Sequence, residues 1–325
     1  MIMMKLIFIT ITITCLMFFV SCSTIEKIAV SSSSPMINKA SSSIEMEGSW
    51  ESFKEGVPGN LKLLEGLLSI SPEDDDLLLS LVKGYSGYAF AVNETEDLTD
   101  KFKDKEKRDH ADLAAINYSK AIGYGLRYLQ ESGVSYEMLS KAQRDESGIS
   151  NLLSRKFGHT IKNHEALFFT AQAIGGLINI RKDKMILVSQ ISVVRGMIDW
   201  VCSNDPDFYS GLCEIFYGAY ETGRPKMLGG DPDKGRKIFQ DAIKKYPDNW
   251  MIRTAYIEHY LIPMMKEDEF AKELAFFEKA AQAFQASNEW SPVDNHLIKN
   301  SQLRLYQAVA MKRYELINVI KKTIF

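Results

Sequence analysis

From Trp50 onward, apolar residues recur three and four apart, the spacing of one face of an α-helix. No Asn-Gly or Asp-Gly pair lies between alternating apolar runs, so the pattern predicts helices and no β-hairpin. Three segments share a phase: Leu64, Leu67 and Pro72; Ile198, Val201 and Pro206; Phe239, Ala242 and Pro247. In each, two apolar residues occupy one helix face and a proline follows beyond the helix end, where it blocks continuation. The residues after each proline repeat as well. The first set is Leu78, Leu81, Val82 and Tyr85, and the second is Leu212, Ile215, Phe216 and Ala219. The third is Arg253, Tyr256, Ile257 and Tyr260, in which only Arg253 breaks the apolar face of the following helix.

These offsets match the tetratricopeptide pattern, a helix-turn-helix unit of about 34 residues whose second helix ends at a proline. The repeats are irregular. A polar insert, Asn93 to His110, precedes a helix marked by Ala114, Tyr118 and Ala121. A second polar stretch, Glu131 to Phe157, is expected to hold short helices outside the repeat. Leu167 to Ile180 pairs with Met185 to Trp200, and Trp250 to Met265 pairs with Glu267 to Ala286, before a terminal helical segment from Pro292 to Ile324. Such a unit cannot bury its apolar face alone, so neighbours stack into one core. The expected fold class is therefore all-α, an irregular tetratricopeptide-like α-solenoid of stacked helix hairpins. Residues 49–325 are expected to form a single domain.

The N-terminus reads differently. Lys5 is followed by an apolar and Thr-rich run to Val20, the layout of a secretory signal. Val20, Ser21 and Cys22 resemble a bacterial lipobox, although Phe19 stands where such boxes usually have Leu. Residues 1–21 are thus expected to be a lipoprotein signal peptide, with Cys22 lipidated and anchoring the protein to the membrane. Ser23, with no Asp after the cysteine, fits outer-membrane sorting by resemblance to Gram-negative lipoproteins. Residues 22–48 are Ser-rich and are expected to be a tether, with one short helical piece near Met36 to Ala40.

Composition narrows the function. A net charge of -3 gives no basic footprint for nucleic acid. Outside the leader and its lipobox only Cys202 and Cys213 remain; the helical phase gives no support for a bridge, so free thiols are expected. No GxSxG, HExxH, CxxC or GxxxxGK[ST] motif is present, and the expectation is a non-enzymatic protein without cofactor or metal. His159 and His164, five apart beside Glu165, do not share a helix face as a zinc pair would need. Asp74, Asp75 and Asp76 read as a charge cluster matched to a helix N-terminus rather than as a calcium site.

The most distinctive stretch runs from Tyr220 to Lys234 and lengthens the turn inside one helix pair. Asp231 and Pro232 suit the N-cap and first turn of the next helix, and Gly229 and Gly230 admit backbone angles closed to other residues. Arg224 and Lys226 either hold this turn or project toward an anionic ligand or partner.

The run RPKMLGGDPDKGRKIFQDAIKKYPDN, with FYGAY before it, resembles the TatT family, the tetratricopeptide-protein-associated components of TRAP (tripartite ATP-independent periplasmic) transporters. NLKLLEGLLSISPEDDDLLLSLVKGYSGYAFA and HEALFFTAQAIGGLINIRKD extend the likeness over most of residues 50–290. Gly235, where the family usually carries Ala, is a departure. The resemblance implies a periplasm-facing lipoprotein, an accessory component working beside a solute-binding protein and a sodium-driven permease for organic acids or apolar ligands. Repeat phase places Lys83, Ser86, Tyr217, Tyr220, Thr254 and Glu258 on the inner face of the stack, as partner- or ligand-contacting positions or as solvated helix surface. The alternative function is a scaffold lipoprotein for envelope protein assembly.

Overall fold

The computed structural model describes residues 22–145, 148–290 and 303–325, so the leader and the start of the terminal segment at Pro292 lie outside the described residues. The described chain is all-α and contains no strand. Its helices are α1 (Cys22–Ser41), α2 (Trp50–Ile70), α3 (Asp75–Tyr88), α4 (Glu94–Phe102), α5 (Asp109–Glu131), α6 (Tyr136–Ala142), α7 (Gly148–Ser154) and α8 (Ile161–Ile180). They continue with α9 (Met185–Val188), α10 (Ile191–Asn204), α11 (Leu212–Gly223), α12 (Pro232–Lys245), α13 (Met251–Tyr256), α14 (Glu267–Ala286) and α15 (Arg304–Ile324). Two π-helical turns, Ala89–Asn93 and Ile257–Leu261, extend α3 and α13.

Local chemistry sets the boundaries. Pro72, Pro206 and Pro247 each follow the residue that closes α2, α10 and α12. Side chains of Ser49, Asp74, Ser135, Thr160 and Asp231 accept hydrogen bonds from backbone N–H groups in the first turns of α2, α3, α6, α8 and α12. Asp75 and Asp76 are spoken for as well, both pairing with Lys162.

Neighbouring helices then pack in order. α3 lies against α1, α2, α5 and α8, which is why Leu77, Leu78, Leu79, Leu81 and Val82 are all fully buried. α8 carries the core on to α10, and α11 to α14 form a second stack. α15 packs on α2 and α4 of the first stack and on α13 and α14 of the second. Residues 185–204 are long and apolar enough to cross a membrane, but they are broken between α9 and α10 and bury Val193, Val194, Met197, Ile198 and Trp200 in the protein core.

The structure corrects three expectations. The segment read as a tether forms α1, and Val30 and Ser34 are buried in it. Ser33 and Ser41 satisfy their hydroxyls on carbonyls one turn back, and Ser34 donates to Asp74 at 2.8 Å, so the serines are compatible with a packed helix. On α11 the expected face, Leu212, Ile215, Phe216 and Ala219, is only half-buried, and Cys213, Gly218, Glu221 and Thr222 face inward instead. Gly218 sets that phase, because a Cβ there would stand 2.5 Å from the Phe239 ring of α12. The third correction is a disulfide between Cys202 and Cys213, whose Cα atoms are 5.9 Å apart. Tyr209, Ser210 and Gly211 take φ of 47°, 51° and 111°, and this reversal brings the end of α10 beside the start of α11. Helical phase cannot foresee such a turn.

Candidate functional site

The long turn after α11 is braced from within. The Arg224 guanidinium lies 3.7 Å over the Tyr220 ring, and Nη2 donates to the Gly229 carbonyl at 2.9 Å and to Glu221 Oε2 at 3.3 Å. Its Nε donates to the Tyr220 carbonyl at 3.1 Å. Glu221 is buried and also takes Lys234 Nζ at 2.7 Å. Gly229 sits at φ 79°, and at Gly230 a Cβ would meet the Arg224 carbonyl oxygen at 1.9 Å, so both glycines are required for the close approach. The result is a latched loop whose exposed residues include Lys226 and Met227; the latter is 90% exposed.

Tyr220 ties this loop to a second feature on α10 and α11. The Arg195 guanidinium stands 4.8 and 4.9 Å from the Tyr217 and Tyr220 rings, and Asp199 accepts hydrogen bonds from Arg195 at 2.7 Å and from the Tyr217 hydroxyl at 2.9 Å. Burial, and then Asp199, push the Tyr217 phenol well above its usual range. Tyr217, Tyr220 and Arg224 are therefore joined in one cluster through Arg195 and the Tyr220 ring, and Lys226 lies in the turn that follows.

The other positions expected on an inner groove lie inside the protein. Lys83 Nζ meets Glu165 at 2.6 Å, the Tyr209 hydroxyl at 2.8 Å and Glu45 at 3.2 Å. Ser86 is fully buried, and its hydroxyl has no hydrogen-bond partner among the described residues. Thr254, also fully buried, donates to the Met251 carbonyl at 3.0 Å. Glu258 accepts two bonds from Arg313 Nη1, at 2.9 and 3.1 Å. Arg313 comes from α15 and also reaches Thr95 Oγ1 at 3.0 Å and the Phe90 carbonyl at 2.8 Å. The inner face around Glu258 is thus covered by the protein's own last helix.

His159 and His164 both pack on Trp200, with ring centroids 5.2 and 5.4 Å from it, and His164 lies 3.7 Å from Asp205. Burial holds the His164 imidazole below its usual range despite Asp205; His164 and Trp200 are buried while His159 covers Trp200 from the exposed side, so the cluster reads as packing at the edge of the core.

Sequence reasoning missed a polar cavity where the insert after Asn93 folds against the end of α8. It is lined by Glu94, Asp97, Leu98, Lys101, Arg108 and Lys182, among others. The available signal was the amphipathic spacing of Leu98 and Phe102 within a run otherwise dismissed as polar.

The molecule is thus defined as an all-helical protein of consecutively packed helices, closed by a terminal helix and displaying a braced, lengthened turn. A family model described as TRAP transporter T-component matches residues 50–292. The chain belongs to that family, and its role is that of an accessory component of TRAP transport. Comparison with curated proteins finds no match.

Proposed function

We propose that this protein, a non-enzymatic tetratricopeptide-like stack, docks the solute-binding protein of its transport system through the turn between α11 and α12. The observation that carries the reading is the division of labour in the turn. Arg224 is consumed by Tyr220, Glu221 and Gly229, whereas Lys226 and Met227 are held outward on a fixed backbone. A preorganised loop loses little entropy on binding, and a cation beside an exposed apolar side chain suits an acidic, partly apolar partner surface. Tyr220 is joined to the turn through Arg224, and Tyr217 to Tyr220 through Arg195. Anchoring by lipid at Cys22, on the outer membrane and facing the periplasm, belongs to this proposal. So does a small organic acid or apolar ligand that accompanies the docked partner. Metabolic labelling with a fatty-acid analogue is expected to mark the wild type and not Cys22→Ser; equal labelling would refute the anchor.

Docking is tested by capture of the purified cognate solute-binding protein. Lys226→Glu with Met227→Asp is expected to reduce capture at least tenfold while thermal unfolding stays at the wild-type temperature. Arg224→Ala is expected to lower the unfolding temperature, since it removes several hydrogen bonds from a charged group. Undiminished capture by the Lys226/Met227 variant would end the docking assignment.

A further inference from the structure

Helix α1 turns one side to the body and leaves the other uncovered. The inner side is fixed: Val30 and Ser34 are buried, Ile37 packs on the core, and Ser34 and Asn38 donate to Asp74 at 2.8 Å and Asp76 at 3.2 Å. The outer side is therefore held away from the protein. Residues 25, 28, 29, 32 and 36 follow one another along it at helical spacing. Ile25, Ile28 and Met36 are 59%, 63% and 74% exposed, and Ala29 and Ser32 are exposed as well. A helix face turned to water ordinarily carries charge, but Glu26 and Lys27 fall outside this stripe and Lys39 joins it only in the last turn.

The polar side chain on the stripe is satisfied from within. The Ser32 hydroxyl donates to the Ala29 carbonyl at 3.0 Å, so its donor is not stranded when water is withdrawn. Such a face suits a lipid surface, where an amphipathic helix lays its apolar side at the boundary between headgroups and acyl chains. Cys22, the proposed anchor, is the first residue of α1 and stands three residues before Ile25, so acyl chains there hold the helix at the bilayer with no tether between. A second protein is a poorer occupant. Three large apolar side chains on one helix fall short of the ~800 Å2 per partner that a stable protein interface buries, whereas a helix beside an acyl anchor needs only to add to it.

We propose that α1 is an in-plane membrane helix, its stripe from Ile25 to Met36 lying in the lipid–water interface while Val30, Ser34 and Ile37 hold the body on the other side. The inference rests on the anchor proposed at Cys22 and goes beyond it, because it gives the body a fixed face toward the bilayer. Tryptophan quenching by brominated lipid tests it, with protein purified from membranes and reconstituted in vesicles of phosphatidylethanolamine and phosphatidylglycerol. Relative to wild type, Ile25→Trp and Met36→Trp are expected to add blue-shifted, strongly quenched emission. Lys27→Trp, off the stripe, is expected to add emission quenched at most half as much. A photo-crosslinking side chain in place of Ile28 is expected to form adducts with phospholipid. Fatty-acid labelling of the same preparations keeps the helix and the anchor apart. Label without quenching at 25 and 36 would overturn the membrane helix and spare the anchor, whereas quenching without label would uphold the helix and remove the anchor. Equal quenching at 25, 27 and 36, or a crosslink from position 28 to a second copy or another protein in place of lipid, would also overturn the assignment.

Discussion

Arg313 carries a full charge into a site that is 2% exposed, and every direction it points has a partner: Glu258, Thr95 and the Phe90 carbonyl, with the Phe90 ring 4.3 Å from the guanidinium. Removing one member of such a pair leaves the other charge buried without compensation, at a cost of about 3–5 kcal/mol. Arg313→Met should therefore lower unfolding stability by about that amount in urea titration. Pairing it with Glu258→Met should recover part of the loss, the signature of a coupled pair. His259, next in sequence to Glu258, behaves differently. Burial, then the nearby Lys101, hold its imidazole at about 4, below the usual 6.5. Its folded pKa is depressed, so the unfolded chain takes up a proton first as pH falls. Stability is full above about 6.5 and is lost progressively toward pH 4. His259→Gln should flatten the decline in unfolding temperature between pH 7 and 4; an unchanged slope would assign that decline to other groups.

At the level of elements, what repeats was readable and what happens once was not. The prolines at 72, 206 and 247 terminate helices because a proline cannot continue one, whatever surrounds it. Leu78, Leu81, Val82 and Tyr85 are buried because α3 is enclosed by four neighbours. The same offsets on α11 predict the wrong face, since the small side of that helix at Gly218 is pressed against Phe239. The inner-face positions failed as an open groove for a related reason: phase shows which side of a helix faces inward, but not that Arg313, about 55 residues after Glu258, arrives to cover it. The bridge between α10 and α11 follows from three consecutive left-handed residues, two of them, Tyr209 and Ser210, not glycine. Closing so short a loop constrains the unfolded chain by up to about 3 kcal/mol. Reduction, or Cys202→Ser with Cys213→Ser, should lower the denaturation midpoint accordingly, and reductant should have no further effect on the double variant.

The molecule as a whole is two stacks with two fastenings. One is the covalent link from α10 to α11; the other is α15, which lies on α2 and α4 on one side and α13 and α14 on the other. Lys312 adds an ion pair to Glu51 at 2.7 Å, with its ammonium 4.7 Å from the Trp50 ring. Deleting residues 303–325 should turn a single calorimetric transition into two and lower the first by about 10 °C or more, taking a few degrees per kcal/mol for a chain of this size. One transition at the wild-type temperature would show that α15 is an appendage.

The position of α15 along the chain has a consequence in time. Everything it covers is synthesised before it: Glu258 is complete while Arg313 has still to be added. At roughly 5–20 residues per second, the polypeptide spends on the order of several seconds with that carboxylate and the surrounding apolar residues unroofed. A nascent or translocating chain thus passes through a stage in which its interior is open to water and to chaperones. The interior is sealed only when α15 arrives.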